Sequence, residues 1–120
     1  MQKRILLLDD NQDILDIMQE ALVYQQYEVK VTLDSKEIIG TTQDYQPDLI
    51  ILDYHLTGKN GYEICRQLKT HPELGHIPVI ICSAYVNKGE NLSAWGCDAV
   101  IAKPFGLDEL TAKVNNLILA

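Results

Sequence analysis

Four apolar runs of about four residues, Ile5 to Leu8, Leu49 to Leu52, Val79 to Cys82 and Ala99 to Ala102, constrain this chain more than any other feature. Each is too short for a typical helix and shows no polar alternation, so each reads as a strand buried on both faces. A fifth segment, Glu28 to Thr32, alternates and carries β-branched Val29, Val31 and Thr32, the pattern of a strand nearer an edge. Strands buried on both faces need helices above and below, and the intervening segments supply them. Ile14, Ile17, Met18, Ala21 and Leu22 repeat at helical spacing, with Asn11 placed to cap. A second helix is expected to start near Asp34, with Glu37 three residues later resembling a capping box. A third runs from about Asn60 to Thr70, presents Ile64, Cys65 and Leu68 to the sheet, and stops before His71-Pro72. A fourth spans about Lys88 to Trp95 and ends at Gly96, and the last carries Leu107, Leu110, Val114, Leu117 and Ile118. Five βα units joined by right-handed crossovers predict an α/β fold with one parallel sheet covered on both faces.

A chain of 120 residues, 47% hydrophobic and 22% charged, is long enough for one ordinary globular core, and residues 1–120 are expected to form a single domain. A formal net charge of −7 without a basic patch argues against nucleic acid or anionic membrane as a partner. Cys65, Cys82 and Cys97 are odd in number and widely spaced, which suits small core hydrophobes rather than a disulfide framework or a metal site. The apolar run after Met1-Gln2-Lys3-Arg4 is too short for a signal peptide and no run approaches a membrane span. A reducing cytoplasm is the expected location.

Chemistry concentrates just after the strands. Asp9 and Asp10 follow the first apolar run and Asp53 follows the third run counted along the sheet-forming segments. If these strands are parallel neighbours, the three carboxylates converge on the sheet edge where α/β proteins place their sites. Unit charges about 4 Å apart repel by roughly 4 kcal/mol per pair at an effective dielectric of about 20, so the cluster calls for a hard divalent cation, Mg²⁺ first. Ser83 follows the fourth strand, and Lys103-Pro104 follows the fifth.

This constellation resembles the receiver domain of bacterial response regulators, matched in type, order and strand position over the whole chain. The resemblance rests on Leu-Leu-Asp9-Asp10-Asn11, on Ile-Leu-Asp53 with Gly58 and Gly61-Tyr62-Glu63, on Ser83-Ala84, and on Gly96-Cys97-Asp98 leading into Lys103-Pro104-Phe105. It implies a flavodoxin-like doubly wound (βα)5 domain with strand order 2-1-3-4-5. It also implies that Asp53 is the phosphoacceptor, taking the group from a phosphohistidine on a sensor histidine kinase or a histidine phosphotransfer protein. By the same resemblance Mg²⁺, with Mn²⁺ as an alternative, is held by Asp9, Asp10, Asp53 and the main-chain carbonyl of His55. Ser83 and Ala84 act as switch and phosphate neighbour, and Lys103 pairs with Asp53 and then with phosphate, its link to Pro104 being cis. A downstream protein is expected on the fourth helix, fifth strand and fifth helix, with the chain monomeric or dimerising on phosphorylation. No output domain follows Ala120, so the chain reads as a stand-alone receiver or one cut from a larger protein.

Several positions depart from that pattern. The usual aromatic three residues before the lysine is Val100, which has no ring to move between exposed and buried states, so output is expected to be coupled differently. The spacing from Ser83 to Lys103 is about two residues short, which points to a trimmed fourth helix or loop. His55 and Tyr85 each stand two residues past a site position, Asp53 and Ser83, and as a bulky pair are expected to set the lifetime of the phosphorylated state. His71 and His76 lack ligand spacing and read as surface residues, and Trp95 reads as a packing residue. An aspartate-nucleophile phosphatase is disfavoured because Asn11 and Gln12 stand where its acid/base carboxylate belongs, and a nucleotide binder because Asp9-Asp10 would repel phosphate. A receiver acting only as a phosphorylation-independent interaction module is the competing reading.

Overall fold

A computed structural model describes residues 2–56, 59–83, 96–103 and 105–118, with the side chains of His55 and Lys59 left aside. Five strands form one parallel sheet: β1 (Arg4–Leu8), β2 (Glu28–Thr32), β3 (Leu49–Asp53), β4 (Val79–Ser83) and β5 (Ala99–Ala102). Their order is β2-β1-β3-β4-β5, the doubly wound flavodoxin-like order expected above, with the alternating segment Glu28 to Thr32 at one edge. Among the described residues the helices are α1 (Gln12–Tyr24), α2 (Ile38–Tyr45), α3 (Gly61–Thr70) and a last helix, Leu107–Ile118.

The period-two alternation of the strands divides the interior cleanly. Ile5, Leu7, Leu49, Ile51, Ile80, Cys82 and Ile101 face one way and pack with Leu15, Met18 and Leu22 of α1 and Leu110 and Val114 of the last helix. Leu6, Leu8, Ile50, Leu52, Val79 and Ile81 face the other way, against Ile38 of α2 and Ile64, Cys65 and Leu68 of α3. Burying both faces explains the uniform apolar runs of β1, β3 and β4. β5, expected to be buried on both faces, is instead the second edge strand and buries only Ile101, because it has a neighbour on one side alone. Cys65 and Cys82 are buried and Cys97 partly so, all three free, as befits core hydrophobes.

Four local expectations need correction. Helix α2 starts at Ile38, not near Asp34, because Asp34 Oδ1 accepts from the Lys36 N–H two residues on, at 2.9 Å, and closes a turn rather than a cap. Glu37 stands at the cap position with no side-chain bond, so no capping box forms. On α1 the core face is centred on Leu15, Met18 and Leu22, which leaves Ile17 53% exposed; Leu107, in the first turn of the last helix, is 42% exposed. The expected helix over Lys88 to Trp95 lies outside the described residues, whereas Gly96 after it has φ +72°, a left-handed value that suits glycine. Among the described residues no helix is long and apolar enough to cross a membrane.

Candidate functional site

The alternation that sends Leu49 and Ile51 to the α1 face sends Asp53 there too, at the carboxyl end of β3. Asp9 continues the series Ile5, Leu7 past the end of β1, and Lys103 continues Ala99, Ile101 past β5. Asp9 is 5% exposed and Asp53 9%. Lys103 spans β4 to donate from Nζ to Asp53 Oδ1 at 2.7 Å, and the same Nζ lies 3.6 Å from Asp9 Oδ2. One ammonium thus serves two buried carboxylates, and the balance of charge stays negative.

The titration of these groups follows from that geometry. Burial pushes the Asp9 carboxyl above its ordinary range; the hydrogen bond from the Asn11 N–H opposes the shift, the charge of Asp53 adds to it, and Lys103 opposes it. Burial alone would lower Lys103, but the hydrogen bond and charge of Asp53, with the charge of Asp9, outweigh it and hold the ammonium above its usual value. Asn11 couples the pocket to α1: its N–H donates to Asp9 Oδ1 at 2.9 Å, while its own Oδ1 accepts from the N–H groups of Asp13 at 3.0 Å and Ile14 at 3.3 Å.

Of the three aspartates expected to converge, the structure brings two together around Lys103, while Asp10 is exposed beside them. Among the described residues no group of three His, Cys, Asp or Glu side chains is placed to hold a metal ion by itself. The donors at hand are carboxylate oxygens, the hard ligands of Mg²⁺, which is commonly held by one or two carboxylates while keeping several waters. The residues fit such an ion and do not form an all-protein cage.

Ser83 ends β4, is 1% exposed, and its carbonyl accepts from the Lys103 N–H at 2.9 Å. Cys82, register partner of Asp53, lies on the same sheet face beneath the pocket and is 2% exposed. Burial pushes its thiol up to about 12, with Lys103 opposing and Asp53 and Asp9 adding to the shift, so the sulfur is neutral near pH 7. Val100 is half-buried against the α2 and α3 side of the core. Ala84, Tyr85, Trp95 and Pro104, and with Pro104 the expected cis link, lie outside the described residues.

The residue types at the start of α3 do not by themselves mark a site role for it. There the main chain of His55 pairs with Asn60, and Leu56 with Lys59, in a short antiparallel ladder. Asn60 Oδ1 caps the helix by accepting from the Glu63 N–H at 2.8 Å, and the Gly61 N–H donates to the Tyr54 carbonyl at 2.8 Å. The Asn60-x-x-Glu63 spacing was the available signal of a cap.

Comparison with known proteins agrees with this geometry. A family model described as response regulator receiver domain matches residues 5–115. The polar-differentiation response regulator DivK of Brucella anthropi is 29% identical over 120 residues, covering 98% of each chain. Response regulator TrrA of Thermotoga maritima, solved in complex with Mg²⁺ and BeF, is 30% identical with a TM-score of 0.85, over 97% of this chain and 99% of that one. Chemotaxis response regulator CheY4 of Vibrio cholerae, 20% identical with a TM-score of 0.89 over 98% of this chain and 99% of its own, shares the fold. With Asp9, Asp53, Ser83 and Lys103 gathered at the carboxyl edge of a 2-1-3-4-5 sheet, this chain belongs to the response regulator receiver domain family, a regulatory domain of two-component signalling rather than a classical enzyme.

Proposed function

We propose that the domain, residues 1–120, is a phosphorylation-activated switch in which Asp53 accepts a phosphoryl group from a phosphohistidine on a sensor histidine kinase or a histidine phosphotransfer protein. The observation that carries this reading is the 2.7 Å bond from Lys103 Nζ to a buried Asp53 carboxylate, with Asp9 at 3.6 Å from the same nitrogen. A carboxylate is already a nucleophile near neutral pH and needs electrostatic relief, not a base, to approach an anionic phosphoryl group. An Asp53 oxygen bonds to phosphorus as the P–N bond of the donor breaks, the imidazole leaves, and an acyl phosphate remains on Asp53. Lys103 exchanges part of its bond to Asp53 for one to a phosphate oxygen, which a flexible ammonium does readily.

Asp9, Asp10, Asp53 and the His55 carbonyl would hold Mg²⁺ or, in its place, Mn²⁺. When bound, the ion supplies charge neutralisation at the transferring group. The solved complex of TrrA with Mg²⁺ and BeF supports that assignment. Ser83, buried at the strand end, provides a hydroxyl for a phosphoryl oxygen, with Ala84 small enough to leave room; His55 and Tyr85 set the lifetime of the modified state. New charge at the pocket then biases a two-state surface built on the segment before β5, β5 itself and the last helix, where a downstream protein or a second copy docks.

The test is intact mass after incubation with Mg²⁺ and a small phosphodonor. One phosphoryl group should be gained by the native chain and none by Asp53→Asn. Labelling that persists in Asp53→Asn, or under full chelation of metal, would overturn the assignment.

A further inference from the structure

We infer that Gly61, the first residue of α3, is a positioning residue for the acceptor: its missing side chain lets the helix end seat directly on the main chain that carries Asp53 and His55. This rests on the reading of Asp53 as acceptor and the His55 carbonyl as an ion ligand. A Cβ at Gly61 would lie 2.6 Å from the Asp53 carbonyl oxygen, 3.2 Å from its carbonyl carbon and 3.1 Å from Tyr54 Cα. All three are backbone atoms, so no side-chain rotation relieves the overlap and either α3 or the acceptor segment must move.

The acceptor segment is held from both sides at this point. On the sheet side Asp53 is in register with Cys82, and the Tyr54 N–H donates to the Cys82 carbonyl at 2.8 Å. On the helix side the Gly61 N–H reaches the Tyr54 carbonyl at 2.8 Å, and Asn60 both pairs with His55 and caps α3. Residues 53–55 and 60–61 therefore form a closed backbone ring, and its tightness sets where the Asp53 carboxylate and the His55 carbonyl stand relative to each other. A reacting group displaced by about 1 Å can lose about a hundredfold in rate, so a methyl group at position 61 is a chemical perturbation as well as a structural one.

The turn after the other end of α3 offers a matched comparison. A Cβ at Gly75 would lie 2.6 Å from the Lys69 carbonyl oxygen, an equal clash with backbone remote from Asp53. Gly61→Ala, Gly75→Ala and the native chain are titrated with Mg²⁺ alone, followed by amide NMR shifts, and thermal midpoints are measured alongside. Gly61→Ala should weaken Mg²⁺ binding by about tenfold, as loss of a supporting group around a metal typically does, and slow phosphorylation by about a hundredfold. Gly75→Ala should lose similar thermal stability yet keep Mg²⁺ affinity and rate close to native. The inference is overturned if Gly61→Ala binds Mg²⁺ as the native chain does, or if Gly75→Ala loses as much affinity. A native chain that binds no Mg²⁺ and takes no phosphoryl group sinks the underlying reading, and this inference with it. Should Gly61→Ala not fold, hydrogen exchange in the native chain decides: Mg²⁺ should slow exchange of the Gly61 amide, and unchanged exchange counts against the role.

Discussion

Asp9 shows how a single residue can be held at a cost to the fold. Its carboxyl is buried next to a second carboxylate, and the Lys103 ammonium bonds more closely to Asp53 than to Asp9. Burial and the charge of Asp53 raise its pKa, so the ionised form destabilises the ion-free domain near neutral pH. Asp9→Asn removes that charge while keeping an oxygen for the Asn11 N–H, and should stabilise the ion-free domain by about 1 kcal/mol, the usual size of such a gain, while weakening Mg²⁺ binding. Chemical denaturation with and without Mg²⁺ checks both halves, and a variant less stable than the native chain in the absence of metal would count against this account. The identities of Asp9, Asp53, Ser83 and Lys103 and their positions after strands were legible in the sequence, because strand ends can be read from where apolar runs stop. The exposure of Asp10 was not, since adjacent residues at a strand end leave the sheet in directions that only the following turn decides.

At the scale of elements, the asparagines after β1 and before α3 do similar work at the two ends of the pocket. Asn11 and Asn60 each accept main-chain N–H groups of the helix they begin, which fixes α1 relative to Asp9 and α3 relative to Asp53. Asn11→Ala should cost about 1 kcal/mol of stability through the lost cap, measured by denaturant midpoint at unchanged slope. It should leave phosphorylation intact, because its bond to Asp9 comes from the backbone N–H, which alanine retains. A loss of labelling larger than the loss of folded protein would show that the Asn11 side chain has a role in the chemistry. The strands and α3 were readable because their apolar spacing is unambiguous. The start of α2 was not: Asp34 can bond two or three residues ahead with little difference in local energy, and the choice of a turn at Lys36 belongs to the packing of Ile38 beneath the sheet.

At the scale of the whole molecule, the two-faced sheet determines how stability responds to alkali. Burial raises the thiols of Cys65 and Cys82, one on each face, from 9.0 to about 12. Between those values the unfolded chain releases protons that the native one keeps, so stability falls as pH rises, by about 1.4 kcal/mol per pH unit for each thiol. Lys103 acts in the same direction, because a raised ammonium contributes stability that is fully present below its usual 10.5 and lost as pH rises through its folded value. Denaturation midpoints should decline steadily above pH 9, and Cys65→Ala should flatten the decline by roughly the share of one thiol. A flat profile between pH 9 and 11 would falsify the assignment of these thiols as buried neutral groups.

By itself the sequence determined the class of the fold and that Asp9, Asp53, Ser83 and Lys103 stand at strand ends, because uniform apolar runs suit strands buried on both faces of a parallel sheet and the residues ending those runs meet at one edge. Tertiary structure alone decided the allegiances within that pocket. Lys103 pairs with Asp53 more closely than with Asp9 because β5 lies two strands from β3 and three from β1. The backbone contact of Gly61 with Asp53 likewise appears only once α3 is laid against the sheet, since the close approach of two main chains leaves no mark in spacing or composition beyond a single glycine.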